Sequence, residues 1–231
     1  MEGTEVRKLA ELEDEHWWYR ERRHLLARAI EGLAPGRALD IGAAGGGNTR
    51  VLREHGWDAV ALEYGADGAA VAHERGLATM RGDATSLPIA DDSLDLVVAF
   101  DLLEHLHDDD AAVSEVRRVL RPGGTYLVAV PADPRLWSSH DVAVDHVRRY
   151  TREGLVDLLD RGGFEVRDVR SWNVLLRPVV AMRRRSISGS DLEDVNPVVN
   201  LGLRAIITAE RYLPVGGLPG VSLLLRAQPR S

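Results

Sequence analysis

The chain predicts an α/β protein, a mostly parallel sheet flanked by helices, and three observations carry that expectation. Short apolar runs rich in Val, Leu and Ala recur along the sequence, separated by amphipathic stretches of helical length. Those runs show little apolar–polar alternation, as strands do when helices cover both faces. A glycine cluster, GAAGGG at 42–47, lies between the first run and the helix after it, where the backbone must turn sharply.

In order, the opening segment EHWWYRERR (15–23) puts two tryptophans among charges, in a chain with 5 Trp in 231 residues. A helix over 12–31, at about 100° per residue, sets Trp18, Leu25, Leu26 and Ala29 on one arc, extended by Tyr19 and Ile30. Trp17 falls opposite with Glu21, His24 and Arg28, which leaves it for an acceptor, a partner subunit or solvent. Arg22 lands inside the apolar arc and Arg23 at its edge, where a plain packing helix avoids charge. The strands follow: RALDIG (37–42), DAVALEY (58–64), ATMRGDA (78–84), LDLVVAFD (94–101) and GTYLVAVP (124–131). The helix before the fifth strand carries Asp108 to Asp110 at its start and Arg117, Arg118 and Arg121 at its end, with Pro122-Gly123-Gly124 to stop it. TREGLVDLLDRGG (151–163) reads as a capped amphipathic helix, FEVRDVRSW as a sixth strand and GVSLLLRAQ (220–228) as a seventh. Between the last two lie nearly 50 residues, too long for a hairpin loop and read as a helical insertion.

Composition excludes several classes. The net charge of -7 argues against binding nucleic acid by phosphate neutralisation. The chain has no Cys, which excludes disulfides, thiolate metal sites and Cys nucleophiles. The N-terminus is acidic without an apolar core, so it is no signal peptide, and no apolar run approaches the roughly 18 residues of a spanning helix. A soluble, cytoplasmic protein is the expectation.

Four strand ends converge on one sheet edge: the glycine loop, Glu63, Asp83 and Asp101. In open α/β sheets ligands bind there, and an acid such as Glu63 suits the two hydroxyls of a ribose. The stretches LDIGAAGGGNT, EYG, RGDATSLPIADDSLDLVVAFDLLEHL and VRRVLRPGGTYLVAVP resemble, in order and spacing, the motifs of class I S-adenosylmethionine-dependent methyltransferases of the type 11 kind. The resemblance covers 37–170, with DHVRRYTREGLVDLLDRGGFEV in keeping. It implies a Rossmann-like seven-stranded mostly parallel sheet over one domain, 1–231. Within that domain 1–34 would be an N-terminal helical lid, 35–171 the cofactor-binding core, 172–219 a substrate-cap insertion and 220–231 the last strand and tail.

The resemblance also implies S-adenosyl-L-methionine as cofactor, S-adenosyl-L-homocysteine as product, and a set of roles. Asp40 would brace the glycine loop, and Gly42, Ala43 and Gly46 would line the methionine portion. Glu63 would hold the ribose, with Tyr64 beside the adenine. Asp83 would accept from the adenine amino group and Ala84 N–H would meet a ring nitrogen, while Asp101 and Leu102 would close over the methionine end. Ala44 stands where the family has its middle glycine, and its methyl would tighten the approach. As a lid, the opening helix would bring Tyr19 and either Arg22 or Arg23 to the cofactor's carboxylate, Arg being suited to bidentate pairing. The other reading is a helix packed beside the sheet with its arginines in surface ion pairs.

Among 8 His, His105 and His146 stand in loops at the active edge and are the candidates for a general base. His140, Asp141 and Asp145 would share the wall formed after the fifth strand. The pair in HLH (105–107) lacks a Cys or further placed ligand and is not read as a metal site. The insertion, with its Leu, Val, Ile and the run Arg183 to Arg185, suits an amphiphilic or acidic small-molecule acceptor. A dimer interface, a structural cap and an ordinary solvated helix end are the alternatives, and monomer and homodimer both stay open. Two further readings remain: a cofactor-binding protein without transferase activity, and a peripheral membrane protein docking through 174–213.

Overall fold

A computed structural model describes residue 7, residues 12–186 and residues 196–230. Parts of the expected lid (1–6 and 8–11), the middle of the expected insertion (187–195) and residue 231 lie outside the described residues. Helix α1 (Trp17–Ala29) precedes β1 (Arg37–Ile41), and α2 (Gly47–Glu54), β2 (Asp58–Glu63), α3 (Ala66–Glu74), β3 (Thr79–Arg81) and β4 (Leu94–Phe100) follow. Then come α4 (Asp109–Val119), β5 (Leu120–Pro131), the short α5 (Ser139–Ala143), α6 (Arg152–Arg161) and β6 (Phe164–Trp172). The chain closes with α7 (Arg177–Ser186), α8 (Pro197–Glu210) and β7 (Ser222–Pro229).

The seven strands form one sheet in the order β3-β2-β1-β4-β5-β7-β6. Only β7 runs against its neighbours, pairing antiparallel with both β5 and β6. The strand order reverses between β1 and β4, so a crevice opens at their carboxyl ends, the usual ligand position in such sheets. The third strand is shorter than expected, which leaves Asp83 two residues past its end in an isolated bridge to Ser86.

Both sheet faces are buried, which explains why the strand runs are continuously apolar. Val97 and Ala99 face a layer containing Val113 and Val116 of α4 and Leu155 and Leu159 of α6. Leu96, Val98 and Phe100 face the other layer, with Leu26 and Ile30 beside Val51 and Leu52 of α2.

Helix α1 corrects the expected span of 12–31. It begins at Trp17, because His16 takes an extended conformation and its Nδ1 accepts from the Trp18 N–H at 3.3 Å. Trp18 packs inward against Trp172, with ring centroids 4.4 Å apart. The opposite side is not left to solvent. The Trp17 N–H donates to Asn200 Oδ1 of α8 (2.9 Å), and Glu21, 3% exposed, pairs with Arg211 at 2.6 Å. Helical periodicity left this side to an acceptor, a partner subunit or solvent, whereas a cation 190 positions away covers Glu21.

The segment after β6 is helical, as α7 and α8. The Arg run is no uniformly solvated helix end: Arg183 is exposed, but the Arg184 side chain is 9% exposed and its guanidinium donates to the Leu136 carbonyl (3.1 Å). The Arg185 side chain lies outside the described residues.

Leu26, with no exposed surface, is the apolar anchor of α1 on the sheet. Leu26→Ala should lower the unfolding free energy by about 3 kcal/mol in urea titrations, and a change below about 1 kcal/mol would contradict this packing.

Candidate active site

The turn after β1 is built on left-handed backbone: φ is +70° at Gly42, +46° at Ala44 and +83° at Gly46. The Gly42 and Ala43 N–H groups donate to the Leu62 carbonyl (2.9 and 3.2 Å), and Gly46 N–H to the Ala43 carbonyl (2.8 Å). A left-handed alanine costs about 1 kcal/mol or more. Ala44 is held there by its N–H, which donates to Glu63 Oε2 at 2.8 Å. Glu63 Oε1 accepts from Gly65 N–H (3.0 Å), so this carboxylate joins the ends of β1 and β2. Asp40, fully buried beneath the loop, accepts from Thr49 Oγ1 at 2.6 Å and ties the strand to the start of α2. Burial pushes its carboxyl up to about 6 against that hydrogen bond.

Above the loop lies a partly open cavity of about 200 Å³. Helix α1 roofs it with Tyr19, Arg22 and Arg23. Arg22 pairs with Asp101 at 2.8 Å, donates to the Phe100 carbonyl (3.3 Å) and lies over the Phe100 ring, 5.8 Å from its centroid. Arg23 instead faces Asp14 at 3.5 Å, although it too reaches the cavity. Burial raises the Tyr19 hydroxyl to about 12.

The opposite wall follows β4 and β5. Glu104 and His105 form a 3₁₀ turn just past β4. His146 lies against them, its ring 4.8 Å from that of His105, and its Nδ1 is 2.9 Å from Asp141 Oδ1. Asp141, with no exposed surface, also accepts from Arg149 Nε (2.7 Å) and lies 3.6 Å from Arg184 of α7. Burial pushes the Asp141 carboxyl up. The His146 hydrogen bond and the charges of Arg149 and Arg184 more than offset this and hold it well below the usual carboxylate range. Burial, and then the His146 ring, lower the basicity of His105. Burial and Asp101 push the Glu104 carboxyl well above its ordinary value.

The cavity thus collects Tyr19, Arg22, Arg23, Gly42, Ala43, Asp101, His105 and His146. At Gly46 a Cβ would lie 2.2 Å from Leu77 Cδ1, so the bare backbone there lets the turn pack against Leu77, between Gly45 and Gly47 of the cavity lining. Leu102 packs against Gly42 beneath the loop. Glu63, Tyr64, Asp83 and Ala84 lie outside the cavity, along the ends of β2 and β3. Tyr64 is 73% exposed, and the Asp83 carboxylate accepts from the Thr85 N–H and hydroxyl (2.8 and 2.7 Å). Glu104 and Arg149 were missing from the residues singled out by sequence. Glu104 stands beside His105 in LLEHL, yet its burial is a tertiary property, and Arg149 reads as one of two adjacent surface arginines.

Asp40 links the loop to pH. Its folded-state value, about 6, lies above the ordinary 3.8, so the stability it contributes is complete below about pH 4 and lost as pH rises through 6. Between pH 4 and 7 the wild type should lose about 3 kcal/mol relative to Asp40→Asn in urea unfolding. Parallel pH profiles for the two proteins would contradict the burial of this charge.

Comparison with known proteins agrees with this geometry. Residues 39–128 match the family described as "Methyltransferase domain". A probable S-adenosylmethionine-dependent methyltransferase of Mycolicibacterium smegmatis is 33% identical over 171 residues, 71% of this chain and 66% of that protein. A demethylmenaquinone methyltransferase of Mycobacterium marinum is 35% identical over 124 residues, 53% of this chain and 52% of that one. The matched regions therefore span less than two thirds of these relatives' own length. Among solved structures, a Haloferax volcanii protein in complex with the Trm112 methyltransferase activator superposes with a TM-score of 0.68 at 19% identity, over 99% of this chain and 95% of that one. The chain carries a methyltransferase domain over residues 39–128, and its glycine turn and seven-stranded sheet match the fold of S-adenosylmethionine-dependent methyltransferases.

Proposed function

We propose that the protein transfers a methyl group from S-adenosylmethionine to an oxygen of a small, amphiphilic acceptor. The observation that carries this reading is one cavity with the glycine turn and the Arg22–Asp101 pair on one side and His105 and His146 on the other. When bound, the cofactor supplies a methyl group on a positively charged sulfur, open to in-line displacement.

The chain's donor set fits that molecule. Its methionine end is a zwitterion, and an ion pair is a template for a zwitterion, since each member can exchange its partner for the opposite charge of the ligand. Arg22 would take the carboxylate and Asp101 the ammonium group. The cavity volume, about 200 Å³, is below the roughly 300–1,000 Å³ of pockets that take up a whole ligand. The adenosine half would therefore lie on the open shelf, with Glu63 toward the ribose and Tyr64, Asp83 and Ala84 about the base. Ordering of this kind supplies much of what methyl transfer needs, because alignment dominates its barrier.

On the acceptor side, the imidazoles would draw the proton from a hydroxyl. Arg22 and Asp101 would hold the cofactor so that its methyl group faces that oxygen, and the carbon–sulfur bond broken on transfer would leave its electron pair on sulfur. The wall contributed by α7 would help select the acceptor. A relative named for demethylmenaquinone makes lipid-like acceptors a natural first set to assay.

A second reading, a membrane-peripheral enzyme acting on lipids, has its own observation. The outer side of α8 and the residues after it present Val198, Leu201 and Tyr212 at 78, 63 and 84% exposure. No helix among the described residues is long and apolar enough to cross a membrane, so such contact would be interfacial. Co-sedimentation with phosphatidylglycerol vesicles separates the two readings.

Calorimetry with S-adenosylhomocysteine tests the cofactor side. Arg22→Ala should weaken binding about 10–100-fold through loss of a charged hydrogen bond. Unchanged affinity would overturn the role of Arg22, and a wild type that binds NAD but not S-adenosylmethionine would overturn the whole reading. With binding established, release of radiolabelled methyl onto hydroxylated amphiphiles distinguishes an enzyme from a cofactor-binding protein.

A further inference from the structure

Glu104 is the anomaly of the cavity. Its side chain has no exposed surface, and among the described residues neither carboxylate oxygen accepts a hydrogen bond. The neighbouring carboxylates have partners: Asp101 has Arg22, Asp141 has Arg149 and His146, and Glu13 has Arg75. An isolated buried carboxylate costs several kcal/mol, on the order of 5. Such a group calls for a proton or a cation.

The two histidines beside it are arranged to help hold a cation. The Nδ1 of His105 lies 3.3 Å from the Asp145 carbonyl, which can only accept, so this nitrogen carries the proton. The Nδ1 of His146 donates in the same way to the ionised Asp141. Both Nε2 atoms are then left with a lone pair, and that of His146 lies 3.7 Å from Glu104 Oε1. A metal-binding histidine characteristically donates its other N–H to a carboxylate or a backbone carbonyl, and this pair shows one of each. One ligand atom from each of the three residues lies within 4.8 Å of the others. Bonds of about 2.1 Å to a shared ion need ligand atoms about 3–4 Å apart, a closure within reach of small side-chain rotations.

We propose that Glu104, His105 and His146 bind a divalent transition-metal ion whose open position faces the acceptor. Two imidazoles and one carboxylate suit a borderline ion such as Zn²⁺ or Co²⁺, and three protein ligands leave room for a substrate oxygen. Arg22 and Arg149 act on Glu104 through space without a hydrogen bond to it: Arg22 is paired with Asp101, and Arg149 and Arg184 lie against Asp141. The sequential pair in HLH is not the site: the third ligand comes from 41 residues beyond His105, after β5, and His107 takes no part. This inference rests on the acceptor side assigned above and changes how the imidazoles act, through an ion bound against the acceptor oxygen, whose acidity it would raise.

Co²⁺ titration of the full chain, followed by visible absorption, is the test. The expected result is a single equivalent with an intense d–d band, weakened at least 100-fold in affinity by Glu104→Gln and by His146→Ala and unchanged by His107→Ala. Absence of the band, or a band indifferent to both cluster variants, would overturn the site. S-adenosylhomocysteine affinity, measured on the same samples, keeps the two readings apart. Nucleoside binding without Co²⁺ binding removes the metal alone, and loss of nucleoside binding by the wild type removes the methyltransferase reading.

Discussion

One buried carboxylate organises the wall opposite the glycine turn. Asp141 draws together His146, five residues on in the chain, Arg149 behind the end of β5, and Arg184 from α7. Stripped of its partners, the buried Asp141 carboxylate would cost several kcal/mol, so the three partners are a condition of the fold as much as a decoration of it. Arg149 extends the network to the Ala132 carbonyl at 2.9 Å, which fastens the loop to the sheet. Through Arg184, α7 is tied to the same anion. The wall opposite the glycine turn and the insertion are therefore one electrostatic unit.

The facing side is organised differently. Asp40, Glu63 and the left-handed positions at Gly42, Ala44 and Gly46 shape a loop from backbone geometry, and α1 covers it by apolar packing. Trp18 on Trp172 and Glu21 on Arg211 hold α1 against the sheet and against α8. The roof of the cavity thus touches elements contributed by both ends of the chain.

Strand positions and the glycine turn were legible in sequence because they are local. A strand buried on both faces must be apolar throughout, and a backbone at φ near +80° asks for glycine, as at Gly46. The N-terminus of α1 was misplaced because a histidine cap is not among the common capping signals. What covers the charged side of α1 was left open because periodicity does not reveal a distant arginine. For the same reason HLH looked like an isolated pair lacking a third ligand: nothing local in LLEHL indicates that Glu104 is sealed from solvent beside His146.

If Asp141 sets the acceptor wall, it must fix which nitrogen of His146 carries the proton. Two-bond ¹H–¹⁵N correlation of the histidine rings, in the metal-free protein at about pH 8, where imidazole is neutral, reads this directly. The account predicts the Nδ1–H tautomer for His146, with Nε2 showing the shift of an unprotonated nitrogen. An Nε2–H tautomer would mean that Asp141 does not hold this ring, and would contradict the arrangement on which the acceptor site depends.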